Sequence, residues 1–413
     1  MEYPHESDSH RTDPGGHEKR PPSVTPPSHA LSPPGGDADR QIAPVPHAMD
    51  IPLDDRQRST DYPEDPNRRT LPRAALPGAA LADRVHTFGQ FLLKRYGQRV
   101  HKVAINAGFT CPNRDGLKGR GGCTFCNNAS FNPNSNRTPP VAEQIAAGRR
   151  VIRKRTGAHR YIAYFQAYTN TYADVDKLRA LYDEALEESD VVGLSVGTRP
   201  DCIPPPILDL LADYRDRGLE VWLELGLQSA FDETLERVNR GHGFAEYRQA
   251  VRAAHGRGLP VCAHLIAGLP GEGPWHVLAT LERVLDETVE GLKLHPLHVV
   301  KGTRLANQWR RGDYTPLALE AYIAIAADLV ERTPPHVVFH RLTGTASRDL
   351  LLAPDWCAWK WRVLNGIEQE LRRRGTRQGG VARCRTGFSI HRISPMMPTP
   401  IPHRLKSPHA PYR

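Results

Sequence analysis

The chain has 413 residues, a formal net charge of +9 and seven cysteines. No run of eighteen apolar residues exists to span a membrane, and no apolar stretch follows the start as a secretory signal requires. An odd number of cysteines, three of them in one loop, argues against a disulfide scaffold, so the expectation is a cytoplasmic protein without membrane contact.

In chain order, residues 1–80 come first and hold 15 of the 37 prolines. With few large apolar side chains, this tail buries too little surface to offset its ordering entropy and is expected to be disordered. It carries a net charge of −4, whereas the proline-rich tail 385–413, also expected to be disordered, carries +5. About +8 therefore falls on the middle of the chain, a surplus that suits a phosphate-rich partner and equally a solvated surface.

From residue 100 to 300, short β-branched runs alternate with helical patterns. The predicted strands are "VHKVAIN" (100–106), "RYIAYFQ" (160–166), "VVGLSVG" (191–197), "EVWLELG" (220–226), "PVCAHLIAG" (260–268) and "GLKLHPLH" (291–298). Between them "ADVDKLRALYDEALEES", "PPPILDLLADYRDRG" and "PWHVLATLERVLDETVE" read as amphipathic helices. In the second of these, Ile207, Leu208, Leu211 and Tyr214 share a face and Gly218 ends the pattern. Six such units with short connections predict an α/β fold with a parallel sheet and right-handed crossovers. Six is short of the eight that close a full barrel, so the expected architecture is a partial (βα)6 TIM-like barrel with a helical C-terminal extension. The unusual polar segments all follow strands, at the ends where parallel α/β folds carry their active sites.

The first of these segments is "TCPNRDGLKGRGGCTFC" (110–126), which holds Cys111, Cys123 and Cys126 among four glycines. A structural zinc site wants four ligands in two paired halves, and only Cys123 and Cys126 form such a pair. A cubane iron–sulfur cluster takes one ligand per iron, so three thiolates would leave one iron open to a small molecule. Plain buried cysteine is the third reading. Spacing favours the cluster and leaves zinc open.

"CTFC", with Phe125 before the last cysteine, resembles the signature of radical S-adenosylmethionine enzymes. The gap between Cys111 and Cys123 is wider than their common C-x3-C-x2-C spacing and is similar to that of the Elongator catalytic-subunit branch. "GTRPDC" (197–202), "ELGLQSAFDETLERVNRGH" (224–242), "HLIAGLPGE" (264–272) and "GLKLHPLHVVKGT" (291–303) follow in the matching order. The stretch from about 85 to 365, including "YIAYFQAYTNT" and "LLLAPDWC", resembles the bacterial YhcC/YtqA-type group of this superfamily. No counterpart of the Elongator acetyltransferase half is present.

This resemblance implies a radical-enzyme core over 81–335 and a C-terminal α/β extension over 336–384. It implies a [4Fe–4S] cluster on Cys111, Cys123 and Cys126, with S-adenosyl-L-methionine on the fourth iron. One-electron reduction by a donor such as flavodoxin or ferredoxin would then release a 5′-deoxyadenosyl radical. Phe125, Gln166, Thr198, Gln228 and Arg240 stand at the cofactor positions, Arg240 suiting a carboxylate as a permanently charged fork. The second strand ends without the Gly-Gly-Glu-type motif common in the superfamily, and Gly197 stands where the Elongator branch has a glutamate.

Glu224, His264 and Lys301 are the catalytic candidates on the substrate side. Glu224 lies within a strand, and a carboxylate buried there needs a cation or donor. Alternation puts His264 and Ile266 on one face of their strand, expected to point inward, although a strand histidine is more often an ordinary core residue. The Elongator-like motifs, the basic middle and "ELRRRGTRQGGVAR" (370–383) imply chemistry on a wobble uridine of tRNA, with the arginines neutralising phosphates. A small-molecule or porphyrin-like substrate, or a zinc-stapled RNA-binding module, are the other readings.

Overall fold

A computed structural model describes residues 79–130 and 138–381. The two tails expected to be disordered lie outside these residues, except that residues 79 and 80 open a short helix, Ala79–Ala82.

All six predicted strands form: β1 (Val100–Ile105), β2 (Arg160–Phe165), β3 (Val191–Thr198), β4 (Glu220–Gln228), β5 (Val261–Ala267) and β6 (Gly291–Pro296). Each pairs in parallel with the next. A further pair, β7 (Val299–Val300) and β9 (Leu351–Ala353), makes a small antiparallel ribbon beside the main sheet. The sheet does not stop at six strands. β8 (Val338–Arg341) pairs in parallel with β6, giving a seven-stranded curled half-barrel in the order β1-β2-β3-β4-β5-β6-β8. Its sequence, "VFHR", hides the strand because two of its four side chains are polar.

The three quoted helical patterns become helices Val175–Leu186, Pro205–Asp216 and Pro274–Asp286. Ile207, Leu208, Leu211 and Tyr214 are buried, and Gly218 takes φ +88° just beyond that helix, a conformation only glycine adopts freely. Helices Leu319–Arg332 and Lys360–Arg373 pack on one another as the C-terminal helical region.

Strand β4 explains how the site comes to lie inside the barrel. Val221, Leu223, Leu225 and Leu227 face the surrounding helices in the main core. Each buried side chain of this kind contributes about 1.5–3 kcal/mol. The alternate residues face inward: Trp222 belongs to a second apolar cluster with Phe88, Leu92, Val100, Ile162 and Val338. Phe88 and Leu92 come from helix Phe88–Tyr96, which starts at Thr87 with a capping box through Gln90 and stops at left-handed Gly97. This cluster fills the lower end of the half-barrel. Glu224, Gly226 and Gln228 continue up the inner face above it.

Candidate active site

β1 runs out into the cysteine loop. Cys111 caps the short helix Pro112–Asp115, which ends at Gly116 with φ +102°. Gly121 and Gly122 then take successive left-handed conformations, φ +79° and +72°, and the Gly122 amide donates to the Asn113 carbonyl at 2.8 Å. A Cβ on Gly122 would stand 2.9 Å from the Arg114 Nε, so glycine is required both for the turn and for space. The chain returns through Cys123 to Cys126, whose amide donates to the Cys123 carbonyl at 3.1 Å.

Cys111, Cys123 and Cys126 line one cavity together with Phe125, Gln166, Thr198, Gln228, Arg240 and His264. Nine of the eleven candidates thus meet, from the cysteine loop, the residue after β2, strands β3, β4 and β5, and the turn that carries Arg240. Among the described residues no three His, Cys, Asp or Glu side chains converge as around a single ion. Burial pushes the Cys126 thiol up, and the neighbouring Cys123 adds to this, while Arg114 opposes it. Three thiolates here would repel one another unless a positive centre lay between them.

Arg240 reaches the thiols from the turn after helix Asp232–Arg237. Its Nη1 lies 3.6 Å from the Cys123 Sγ and its Nη2 donates to the Gly226 carbonyl at 2.5 Å. A Cβ on Gly226 would stand 2.8 Å from that Nη2 and 2.9 Å from the Gln228 Nε2. The missing side chain is what admits both groups. Among the described residues the buried Arg240 Nε has no partner, nor have the Thr169 Oγ1 and Asn170 Oδ1. Backbone strain gathers at the same place: Tyr168, Gln228 and Asn239 all take positive φ, at +63°, +82° and +52°.

The turn that carries Arg240 is held from below. Arg199, 2% exposed, donates to the Arg240 and Gly241 carbonyls at 2.8 and 3.1 Å. It also forms a two-pronged pair with Asp201, both contacts 2.9 Å. Lys118 of the cysteine loop joins the same carboxylate at 2.7 Å. Although burial alone would raise it, Arg199 holds the Asp201 carboxyl well below the usual range. Asn113, 1% exposed, closes the arrangement by donating to the Asn239 carbonyl at 2.5 Å and lying 3.8 Å from the Cys123 Sγ.

The remaining two candidates lie elsewhere. Glu224 is fully buried beneath the cavity, ion-paired to both Lys102 and Lys293. Its carboxylate also accepts from the Ser195 Oγ at 2.5 Å and from the His264 Nε2 at 2.8 Å, with the His340 Nδ1 at 3.5 Å. Burial would raise the Glu224 carboxyl, but Lys102 and Lys293 hold it well below the ordinary value. One carboxylate cannot support two buried ammonium groups. The more deeply buried Lys293, which also donates to the Tyr164 hydroxyl at 2.8 Å, is lowered by burial to about 7. Burial and Lys293 lower His264 to about 4, so it donates to Glu224 as a neutral imidazole. Lys301 stands exposed on the turn after β7, outside the cavity lining, and its carbonyl accepts from the Asn127 Nδ2 at 2.8 Å.

Sequence reasoning missed Lys102, Lys293, Asn113 and Arg341, the last of which also lines the cavity. For the two lysines a signal existed: strands of a buried parallel sheet read as apolar runs, and a lysine in mid-strand breaks the pattern.

Against protein-family models, residues 108–284 match the Radical SAM superfamily and residues 289–373 the Radical SAM C-terminal domain. The chain is 50% identical over 299 residues to Protein YhcC of Escherichia coli (strain K12), covering 72% of this chain and 96% of that protein. It is 33% identical over 154 residues to the tRNA uridine(34) acetyltransferase of Dehalococcoides mccartyi, covering 37% of this chain and 33% of that one. Among solved structures, archaeal Methanocaldococcus infernus Elp3 with an N-terminal deletion superposes with a TM-score of 0.50 at 20% identity, covering 68% of this chain and 64% of that chain. That likeness is one of fold.

Proposed function

The chain belongs to the radical SAM superfamily and is an enzyme of it, and from that premise we propose that it holds a [4Fe–4S] cluster on Cys111, Cys123 and Cys126, binds S-adenosyl-L-methionine beside it, and modifies a uridine of tRNA. The observation that carries the reading is the meeting of the three thiols with Phe125, Gln166, Thr198, Gln228 and Arg240 around one cavity.

The residues present fit those groups. A buried donor left unpaired costs on the order of 1–3 kcal/mol, so the Arg240 Nε calls for an acceptor such as a carboxylate. The Cys126 thiol, raised by burial and by the neighbouring Cys123, and the two thiols beside it suit a cationic centre that takes one thiolate per iron. When bound, the pair would supply a 5′-deoxyadenosyl radical from one-electron cleavage of S-adenosylmethionine. The protein's part is placement. Arg240 would hold the amino-acid end of the cofactor, the Arg199–Asp201 clamp fixes the Arg240 turn, and Phe125, packed against the apolar cluster of Leu269, Leu297 and Val299, excludes water from one side.

The tRNA part rests on the relative whose name records action on tRNA uridine(34), and on the charge of the folded middle. The arginine run read as a phosphate contact gives it little support. Arg372 pairs with Glu368, Arg373 with Glu370, and Arg374 with Asp328, Glu331 and Glu370. Exposed Arg150, Arg153, Lys154 and Arg155, on helix Val141–Thr156, have no carboxylate partner among the described residues and are better placed for phosphates.

The test is anaerobic reconstitution followed by dithionite and S-adenosylmethionine, with iron and 5′-deoxyadenosine quantified together. The expected result is about four irons per chain and deoxyadenosine release. tRNA from cells lacking the gene should then gain or lose a uridine modification by nucleoside mass spectrometry. Bound zinc without deoxyadenosine would overturn the reading, and radical formation with unaltered tRNA would remove its substrate half.

A further inference from the structure

The cavity that holds the thiols has a second wall, built by β5, β6 and β8, and this wall carries His264, His295, His298 and Arg341. Counting both walls, the lining includes four arginines and no carboxylate among the described residues. Three of the four are engaged. Arg114 donates to the Cys126 carbonyl at 2.5 Å, Arg199 is paired with Asp201, and Arg240 is bonded to the Gly226 carbonyl. Arg341 alone has neither an ion pair nor a hydrogen bond among the described residues. A half-buried guanidinium presents five donors and is never neutral, and here none of the five meets a protein acceptor among the described residues.

Local structure places it there by a specific device. Lys293 of β6 faces Arg341 of β8, but the register shifts between Leu292 and Lys293, which leaves His340 as an extra residue on β8. The shift lets two successive residues serve the interior: His340 packs on Phe88 and Trp222 and meets Lys102, while Arg341 lines the cavity above. Bulges of this kind re-aim side chains beside active sites. The segment after β8 then folds over β6. A Cβ on Gly344 would lie 2.2 Å from the His295 Nδ1, and the Gly344 carbonyl is 3.3 Å from the His298 Nε2. Burial, with the Arg341 charge adding to it, keeps His295 far below its ordinary value and His298 at about 4. Both imidazoles therefore stay neutral, and Arg341 supplies the positive charge of this wall.

We propose that Arg341 binds an anionic group, a phosphate or a carboxylate, of the molecule that is modified in this cavity. His295 and His298 flank it as neutral hydrogen-bonding partners. The proposal rests on the radical-enzyme reading of the cavity and extends it to the substrate: the group bound is anionic and docks on the β6–β8 wall, apart from the thiol wall and Arg240. A bidentate fork on an oxyanion is what an arginine offers over a lysine.

The experiment uses the reconstituted holoenzyme with S-adenosylmethionine bound, and the probes uridine, uridine 5′-monophosphate and 5-carboxyuridine, compared by isothermal titration for wild type, Arg341→Gln and Arg341→Lys. At least one anionic probe should bind about tenfold or more tightly than uridine. Arg341→Gln should erase that advantage, Arg341→Lys should keep part of it, and iron content and S-adenosylmethionine affinity should be unchanged in both. Preference for the monophosphate identifies a phosphate, and preference for 5-carboxyuridine a carboxylate. An advantage that survives Arg341→Gln, or no advantage in wild type, would overturn the site. So would a tenfold loss of S-adenosylmethionine affinity, which would assign Arg341 to the cofactor. If wild type makes no deoxyadenosine yet keeps the anion preference, the radical reading fails while the anion site stands.

Discussion

The half-barrel contains two polar layers, one above the other, and they are finished to different degrees. In the lower layer, Glu224 is met by Lys102, Lys293, Ser195 and His264, and His340 Nε2 is the one buried side-chain atom left without a partner. In the upper layer, among the described residues, Arg240 Nε, Thr169 Oγ1 and Asn170 Oδ1 lack partners, the Arg341 side chain has no ion pair or hydrogen bond, and three non-glycine residues take positive φ. A polar network whose members satisfy one another rigidifies a core. Buried donors and strained backbone persist where something else completes them. On the proposed reading the lower layer is a floor and the upper layer the binding site, although both are built from the same strands.

Cys123→Ala separates the layers most sharply. It should abolish deoxyadenosine formation and lower the iron content, while changing stability by only about 1 kcal/mol, as for a small buried side chain. Glu224→Ala should do the opposite. It strips Lys102 and Lys293 of the carboxylate they share, and the cost of breaking such a buried group is about 3–5 kcal/mol, read by urea unfolding. Replacing Lys102, Glu224 and Lys293 together by methionine should recover most of that loss, since an apolar floor needs no pairing. A Glu224→Ala protein of normal stability that has lost only activity would break the comparison and move Glu224 into the reacting layer.

A subtler check on the floor is its pH dependence. Lys293 is held near 7 in the fold, against about 10.4 in an unfolded chain. Between these values the unfolded state binds more protons, so this group makes the fold more stable as pH rises from 7 toward 10, and adds no slope below 7. Wild type should gain on Lys293→Met across that window, at no more than about 1.4 kcal/mol per pH unit. Equal slopes would mean that Lys293 is an ordinary charged lysine.

The distinction between floor and site is only half legible in the sequence. The six strands could be read because parallel strands covered on both faces are apolar runs, and the cysteine loop because three thiols among glycines stand out. Glu224 stood out for the same reason, as a charge inside "VWLELG". What one strand cannot reveal is which charges meet: Lys102 and Lys293 are 191 positions apart in the chain and find Glu224 only through the curl of the sheet. β8 was missed as a strand because His340 and Arg341 interrupt its apolar pattern, and those are the two residues its bulge turns inward. Lys301 was selected for its position after β6, but the turn carries its side chain outward.

The smallest effect concerns charge that is conspicuous in the sequence and occupied in the fold. "RRR" at 372–374 invites a role in binding phosphate, yet each arginine already holds a carboxylate, Arg373 with two parallel contacts of 2.8 Å to Glu370. Exposed pairs of this type are weak and screened by salt, so Arg372→Gln with Arg373→Gln should leave the unfolding midpoint within about 1 °C. More tellingly, the double variant should leave tRNA affinity and its salt dependence unchanged, because a cation already neutralised releases few counterions from the nucleic acid. Replacing Arg153 and Arg155, which have no such partners, should flatten the salt dependence by about one to two units of slope. If the order is reversed, the glutamates give up their arginines to phosphate on binding, and pairing seen in the free protein is no guide to where RNA lies.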